Sequence, residues 1–285
     1  MRTFAQVDVF SATPYRGNPV AVVLDADGLS TEQMQQFAHW TNLSETTFVL
    51  PPTRPGADYR VRIFTPVREL PFAGHPTLGT CHAWLERHPG HAGDTVVQEC
   101  GAGLVTVRRS GGRLAFAAPP LQRDEPVDDA LQEQIAHVLG VDRSAIRDTH
   151  HLDNGPGWIG VLLDSAQAVL DVRPEQTELK IGVVGPYPPG APHAVEVRAF
   201  FPMGRSTVED PVTGSLNAGL GLWLLRTGRL RAPYTAAQGT VLGRAGRVHV
   251  DRDAEGTIWV GGDAVTCLRG EVELSSGLAT DPAVR

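Results

Sequence analysis

The sequence predicts an α+β protein of two lobes, each a β-sheet curled around one apolar helix. Three observations lead to this prediction: most segments alternate apolar and polar residues, the segment Ser215–Leu225 is apolar on nearly every helical face, and part of the first half of the chain recurs in the second. A helix that is apolar all round must be enclosed by protein, here by strands. The repeat predicts two such lobes face to face, with the cleft between them as the natural binding site.

The internal repeat covers a strand, a loop and the start of a helix. Val61–Pro66 recurs as Val197–Pro202, and His75–Thr80 recurs as Asp210–Ser215. This alignment makes His75 and Asp210 equivalent, each at the start of a central helix.

Prolines mark the predicted helix starts. Pro76 and Pro211 suit a first helical position, where a missing N–H costs nothing, and Asp210 is a favoured N-cap residue. A peripheral helix is predicted at 30–41, where Ser30 and Gln33 form a capping-box pattern, and another at 128–139.

Alternation predicts strands in most other segments. They are Phe4–Phe10, Val20–Leu24, Thr46–Leu50, Tyr59–Phe64, Thr95–Gln98, Leu104–Arg109, Leu114–Ala117, Ile159–Leu163, Ala194–Phe200, Arg247–Val250 and Thr257–Val260. The predicted lobes are 1–122, completed by about 266–285, and 123–265, with the crossing between Pro119 and Pro126.

Composition excludes several classes of function. The 285 residues carry 25 Lys plus Arg against 32 Asp plus Glu, a net charge of -7 without a basic block, which argues against nucleic acid. Met1–Phe10 alternates instead of forming a signal peptide, and Leu216–Leu225 is about half the ~20 residues of a membrane span. We therefore expect a cytoplasmic protein with no membrane partner.

The sequence indicates no metal and no cofactor. His150 and His151 are expected to be loop histidines, because no third set of ligands has diagnostic spacing. Gly101–Gly103 lacks the strand-before, helix-after context of a dinucleotide site, and no phosphate-binding Gly-Lys-Ser/Thr sequence occurs. Ser215 does not lie in a nucleophile elbow, so we expect its hydroxyl to bind a ligand.

Two proton-transfer groups, His75 and Asp210, are predicted at the helix starts. A helix N-terminus presents unpaired N–H groups and a partial positive charge, which suit a ligand carboxylate. Gly74 and Gly214 would let the backbone approach that ligand closely. The alternative is that Asp210 is only an N-cap and His75 only a loop residue.

Glu45 is the candidate general acid or base. It lies between a polar cluster and the apolar strand 46–50, so its carboxylate is expected at a buried position at the opening of the predicted cleft. Burial would raise its pKa and suit it to proton transfer near neutral pH. The alternative is a solvated glutamate at a strand start.

Five strings in order resemble the PhzF-like phenazine-biosynthesis family over nearly the whole chain. They are Asp8–Phe10 with Gly17–Val22, Ser44–Val49, Pro71–Gly79, Glu209–Ser215 and Gln238–Gly239. The resemblance implies a diaminopimelate epimerase-like fold, each lobe a β-barrel around its helix, in a homodimer without cofactor. In the related epimerases two cysteines occupy the helix starts, whereas this chain has His75 and Asp210 there.

The resemblance also implies the roles of the site residues. Glu45 matches the glutamate that moves a proton on dihydro-hydroxyanthranilate; His75, Asp210 and Ser215 match residues that orient the substrate. Gly74 and Gly214 match the backbone that meets its carboxylate. We therefore expect a cofactor-independent isomerase of a small carboxylic acid; a metabolite-binding protein without turnover, or a hydrolase or lyase using the same cleft, are the alternatives.

Overall fold

A computed structural model of the chain describes residues 1–274; the part of the predicted closing segment at 275–285 lies outside the described residues. The chain divides into two compact units. The first comprises Met1–Val9, Pro19–Leu114 and residues 264–274, and the second comprises Phe10–Asn18 and Ala115–Asp263. Each unit is rich in strands and contains one long buried helix, which confirms the predicted α+β class.

Strands and two helices build the first unit. The strands are β1 (Arg2–Val9), β2 (Asn18–Val23), β3 (Thr46–Leu50), β4 (Tyr59–Phe64), β5 (Glu69–Leu70), β6 (Thr95–Cys100), β7 (Gly103–Ser110) and, from the end of the chain, β17 (Ala264–Val272). The helices are α1 (Thr31–Thr41) and α2 (Gly74–Arg87). Strand β8 (Arg113–Ala117) carries the chain from the first unit into the second.

The second unit repeats this order of strands around a long helix. Its strands are β9 (Ile146–Leu152), β10 (Trp158–Leu163), β11 (Ile181–Pro186), β12 (Val195–Met203), β13 (Ser206–Asp210), β14 (Tyr234–Gln238), β15 (Gly246–Arg252) and β16 (Ile258–Gly262). Its helices are α3 (Asp129–Leu139), α4 (Ala166–Asp171) and α5 (Gly214–Arg226).

The two units share one strand-pairing pattern. In the first unit β2 and β3 are parallel, β3–β4 and β4–β5 are antiparallel, β4 and β6 are parallel, and β6–β7 is antiparallel. In the second unit β10–β11, β11–β12, β12–β13, β12–β14 and β14–β15 follow the same series of directions. This agreement confirms the internal repeat read from the sequence.

Helices α2 and α5 form the centres of the units. Helix α2 packs against β1, β3, β6 and β17, and α5 packs against β9, β10, β15 and β16. Most of their side chains are buried, including Leu78 and Cys81 in α2 and Leu216 and Trp223 in α5. No helix in residues 1–274 is long and apolar enough to cross a membrane.

Helix starts were predicted with mixed success. Helix α1 has the expected capping box, with the Ser30 hydroxyl accepting from the Gln33 N–H and the Gln33 side chain accepting from the Ser30 N–H. The predicted start of α5 is wrong: Asp210 ends β13, Thr213 is the N-cap residue, and Pro211 precedes the helix.

Candidate active site

Glu45 lies in the first unit, between α1 and β3. Its side chain is only 16% exposed, so it is not the solvated glutamate of the alternative interpretation. Its Oε2 lies 3.3 Å from Nε2 of His75. The structure therefore brings two of the predicted site residues together.

His75 is the second residue of α2, and its side chain is buried. Burial lowers its pKa to about 3, although a hydrogen bond with the backbone at Pro19 acts in the opposite direction. The imidazole is therefore neutral near pH 7, with one nitrogen as a donor and the other as an acceptor. A neutral imidazole puts no positive charge beside the Glu45 carboxylate.

Helix α2 begins with N–H groups that no side chain of its N-cap residue can bind. The N-cap residue is Ala73, and Gly74 follows as the first helical residue. The partial positive charge at this end of the helix favours an anionic ligand. Because Gly74 has no side chain, nothing on that residue obstructs the approach of a carboxylate to its N–H.

Asp210 lies in the second unit, where two donors bind its carboxylate. Thr213 Oγ1 donates to Oδ2 at 2.6 Å, and Asn18 Nδ2 donates to Oδ1 at 3.1 Å. Burial raises the pKa of Asp210 to about 6; these two hydrogen bonds oppose the rise, and the charge of Glu209 adds to it. Both ionisation states of Asp210 are therefore accessible near neutral pH.

Buried amides hold the donors of Asp210 in place. Gln238 Nε2 donates to Thr213 Oγ1, and Gln238 Oε1 accepts from the Thr213 N–H and from Asn217 Nδ2. Asn18 Nδ2 donates also to the Val212 carbonyl at 2.8 Å. These bonds leave the Thr213 hydroxyl hydrogen for Asp210, which fixes the orientation of the carboxylate.

Gly214 and Ser215 are the first two residues of α5. The Ser215 hydroxyl accepts a hydrogen bond from Trp158 Nε1 at 2.9 Å. The Ser215 carbonyl accepts another from Asn154 Nδ2 at 2.9 Å. The serine is thus held through both its side chain and its main chain.

Strand register decides which positions of the two units are equivalent. In the β4–β5 hairpin Phe64 pairs with Glu69, and in the β12–β13 hairpin Phe200 pairs with Glu209. Both glutamates bind an arginine of the preceding strand through two hydrogen bonds. The residues that follow Glu69 and Glu209 are therefore equivalent.

Asp210 is consequently equivalent to Leu70. Ser215 is equivalent to His75, and these two are the second residues of α5 and α2. The predicted equivalence of His75 and Asp210 is wrong, because the turn between β12 and β13 is longer than the turn between β4 and β5 and shifts the alignment. The correct alignment is visible in the sequence, where Glu69–Gly74 matches Glu209–Gly214 at Glu, Pro and Gly.

Sequence reasoning assigned no role to the polar partners of the site. Asn18 and Gln238 stand in strings that carry the family resemblance, which was a usable signal. Trp158 stands at the start of a predicted apolar strand and has no polar pattern around it. Only the fold brings its indole to Ser215.

His150 and His151 lie on β9 and are buried, so the prediction of loop histidines is wrong. His150 bonds to Asp124 at 2.7 Å and stacks on Trp223, which gives it a structural role. Within residues 1–274 no group of three or more His, Cys, Asp and Glu residues is placed to hold a metal ion.

Comparison with protein families identifies the chain. Residues 7–270 match the family described as phenazine biosynthesis-like protein, PhzC-PhzF. The chain belongs to this family. Among curated relatives it is 34% identical to trans-2,3-dihydro-3-hydroxyanthranilate isomerase of Pseudomonas fluorescens, covering 96% of this chain and 100% of the relative. The isomerase class expected from the sequence is therefore confirmed for this PhzF-family member.

Other relatives are similar over the same length. The antisense-enhancing sequence 1 protein of Schizosaccharomyces pombe is 38% identical over 94% of this chain and 98% of the relative. The crystal structure of the Bacillus anthracis PhzF-family protein matches with a TM-score of 0.81 and 25% identity, over 95% of this chain and 99% of that one.

A more distant structure confirms the fold class. A probable proline racemase of Agrobacterium radiobacter matches with a TM-score of 0.59 at 15% identity, over 99% of this chain and 95% of that one. At this identity the likeness concerns the fold alone. The expected epimerase-like architecture, with strands wrapped around a central helix in each unit, is thus confirmed.

Proposed function

We propose that the protein is a cofactor-independent isomerase that moves a proton between two carbons of a small carboxylic acid, as trans-2,3-dihydro-3-hydroxyanthranilate isomerase does. The observation that carries the proposal is the Glu45 carboxylate, largely buried and 3.3 Å from the neutral His75 imidazole at the start of α2. A carboxylate in such surroundings is suited to general base and general acid catalysis.

In the proposed reaction Glu45 takes the proton from an acidic C–H. The C–H electron pair forms a new double bond, the neighbouring double bond shifts, and Glu45 returns the proton to the far carbon. One C–H bond breaks and another forms, so the product has the mass of the substrate. His75 packs beside Glu45, with its Nε2 3.3 Å from Glu45 Oε2, and the main-chain N–H of Gly74 helps to bind the substrate carboxylate.

The proposal also assigns the second unit a role in binding. Asp210, Gly214 and Ser215 would bind and orient the polar groups of the substrate. In support, the two hydrogen bonds to Asp210 hold its carboxylate in one orientation, and its pKa of about 6 allows it to donate a hydrogen bond when protonated. Gly214 at the helix start offers a main-chain N–H without a side chain in the way.

Deuterium incorporation tests the reaction. The protein is incubated in heavy water with a library of small carboxylic acids that includes trans-2,3-dihydro-3-hydroxyanthranilate, and the products are analysed by mass spectrometry and NMR. We expect isomerisation that Glu45→Gln lowers at least about 100-fold, because the variant lacks the proton carrier. The control is Glu69→Gln, since Glu69 is an exposed partner of Arg62 in the same unit.

Three results would reject the proposal. An active Glu45→Gln variant would remove the proposed base. Binding of acids with neither isomerisation nor exchange at any C–H would indicate a metabolite-binding protein. A product of different mass would indicate a hydrolase or lyase.

We further propose that the protein is a homodimer, as the family resemblance implies, and that it is cytoplasmic. Light scattering of the purified protein tests the first statement, since a dimer has twice the mass of the 30.6 kDa chain. Fractionation of the source cells tests the second.

A further inference from the structure

Trp158 contacts the proposed site through a single polar atom. It is the first residue of β10, and only 5% of it is exposed. Its indole N–H donates to the Ser215 hydroxyl oxygen at 2.9 Å. A buried tryptophan normally finds a partner for this N–H, but the choice of partner here has a chemical consequence for Ser215.

An indole N–H donates and cannot accept. The Ser215 oxygen must therefore be the acceptor in this contact, and the hydroxyl hydrogen is left for another acceptor. A hydroxyl that accepts one hydrogen bond is polarised and donates a stronger one. At the second residue of α5, the helix dipole favours an anion as that acceptor.

Hydrogen bonds involving its own side chains stabilise the hairpin that carries Trp158. Asp153 Oδ1 accepts from the N–H groups of Gly155 and Gly157, both at 2.8 Å, and both glycines have a positive φ. Asn154 Nδ2 donates to the Ser215 carbonyl. The hairpin therefore contacts Ser215 twice, through Asn154 and through Trp158.

Asn154 has a polar atom left over beside this contact. Its Oδ1 is buried and accepts no hydrogen bond within residues 1–274. This oxygen can accept a hydrogen bond from water or from a donor group of a substrate.

We propose that Trp158 is a positioning residue of the isomerase, whose indole N–H turns the Ser215 hydroxyl into a dedicated donor to the carboxylate of the substrate. The role rests on the proposed function, because it assumes that Ser215 binds the acid. Trp158 itself does not contact the reacting atoms. Its effect passes through Ser215 and concerns binding of the charged group.

A double-mutant cycle tests this role without turnover. Binding of anthranilate and of its uncharged amide, anthranilamide, is measured by calorimetry for the wild type, Trp158→Phe, Ser215→Ala and the double variant. We expect Trp158→Phe to raise the Kd of anthranilate about tenfold, the effect of one hydrogen bond to a charged group, and to leave anthranilamide unchanged. In the Ser215→Ala background the same substitution should add nothing.

The matched control is Trp259→Phe. Trp259 lies in the same unit, and its indole N–H donates to Asp253 Oδ2 at 2.7 Å, so this substitution also removes a hydrogen bond made by an indole N–H. We expect it to leave both Kd values unchanged. With substrate, Trp158→Phe should raise KM and leave kcat nearly unaltered.

The wild-type protein provides a measurement that needs no tryptophan variant. In NMR spectra, the indole N–H signal that Ser215→Ala displaces is assigned to Trp158. In the wild type this signal should shift on titration with anthranilate and stay fixed with anthranilamide. Four results would overturn the proposal. Trp158→Phe weakens binding of anthranilate and anthranilamide equally, or its effect on anthranilate persists in the Ser215→Ala background. Alternatively, anthranilate leaves the indole signal unmoved, or the wild type does not bind anthranilate. If the expected pattern of Kd values is found but the protein catalyses neither isomerisation nor proton exchange, only the proposed reaction is rejected.

Discussion

Burial shifts the pKa values of His75 and Asp210 in opposite directions, and both shifts favour the uncharged form. The pKa of the His75 imidazole falls to about 3, and the pKa of the Asp210 carboxyl rises to about 6. Removing either charged form from water is costly, which explains both directions. The chain therefore keeps His75 neutral while Asp210 stays close to its ionisation point at neutral pH.

Asp210→Asn should change the pH dependence of stability. The pKa of Asp210 is raised above its ordinary 3.8, so its stabilising contribution is fully present below about pH 4 and is lost as pH rises through 6. Relative to the variant, the wild type should lose up to about 3 kcal/mol of unfolding free energy between pH 4 and pH 7. Urea unfolding at several pH values measures the difference.

The control for that experiment is Asp164→Asn. The hydrogen bond from Arg147 lowers the pKa of Asp164, so the wild type should gain stability relative to this variant as pH rises. Curves for Asp210→Asn that run parallel to those of the wild type would contradict the assigned pKa.

At the scale of elements, the first residues of two strands bind the site groups of the second unit. Strands β2 and β10 occupy the same place in the pairing pattern, each parallel to the strand that follows it. The first residue of each donates to a candidate group: Asn18 to Asp210 and Trp158 to Ser215. Both donors belong to the unit whose site groups they bind, because Asn18 is the last residue of the segment Phe10–Asn18.

Helix packing depends on glycine at equivalent positions of α2 and α5. A Cβ at Gly79 would lie 2.3 Å from Val20 Cγ1 and 2.9 Å from Val9 Cγ2. A Cβ at Gly219 would lie 3.0 Å from Leu152 Cβ. Helix α2 therefore approaches its strands more closely than a side chain at this position allows.

Gly79→Ala should destabilise the protein by about 2 kcal/mol, because overpacking costs more than the roughly 1 kcal/mol that alanine gains in helix propensity. Gly219→Ala should cost less, since its contacts are at the edge of the allowed range. Thermal and urea unfolding of both variants measure which substitution lowers the free energy of unfolding more. A Gly79→Ala protein as stable as the wild type would show that α2 can move away from β1 and β2.

At the scale of the whole molecule, the first unit is closed by the end of the chain. Strand β17 pairs with β1 along its length, from Arg2 opposite Val272 to Val9 opposite Ala264. Strand β17 also packs against α2. The unit that contains Glu45 and His75 therefore needs residues that follow the entire second unit in sequence.

Truncation after Asp263 should disrupt the first unit. Without β17, strand β1 loses the ladder on one edge and α2 loses part of its cover, so amide hydrogens of Arg2–Val9 should exchange rapidly. Proton transfer should fall to background, because the Glu45–His75 pair depends on this unit. Hydrogen exchange by mass spectrometry and the heavy-water assay measure both effects; the control is full-length Leu268→Ala, an exposed position in β17. Retained protection of β1 would contradict the expectation.

The sequence by itself determined many of the secondary elements and the existence of the repeat, because period-two alternation, the capping box at Ser30 and the uniformly apolar α5 are local patterns. It did not predict β9, β11, β14, β17 or α4. It also placed Glu45 beside a strand and His75 near a helix start. Both statements follow from neighbouring residues alone.

Only the tertiary structure decided which polar groups meet. The partners of Asp210 and Ser215 are Asn18 and Trp158, which stand far away in sequence and are brought in by strand pairing. Because the β12–β13 turn is longer than the β4–β5 turn, Ser215 and not Asp210 is equivalent to His75. The pKa directions depend on burial, which is a property of the packed chain and cannot be read from residue order.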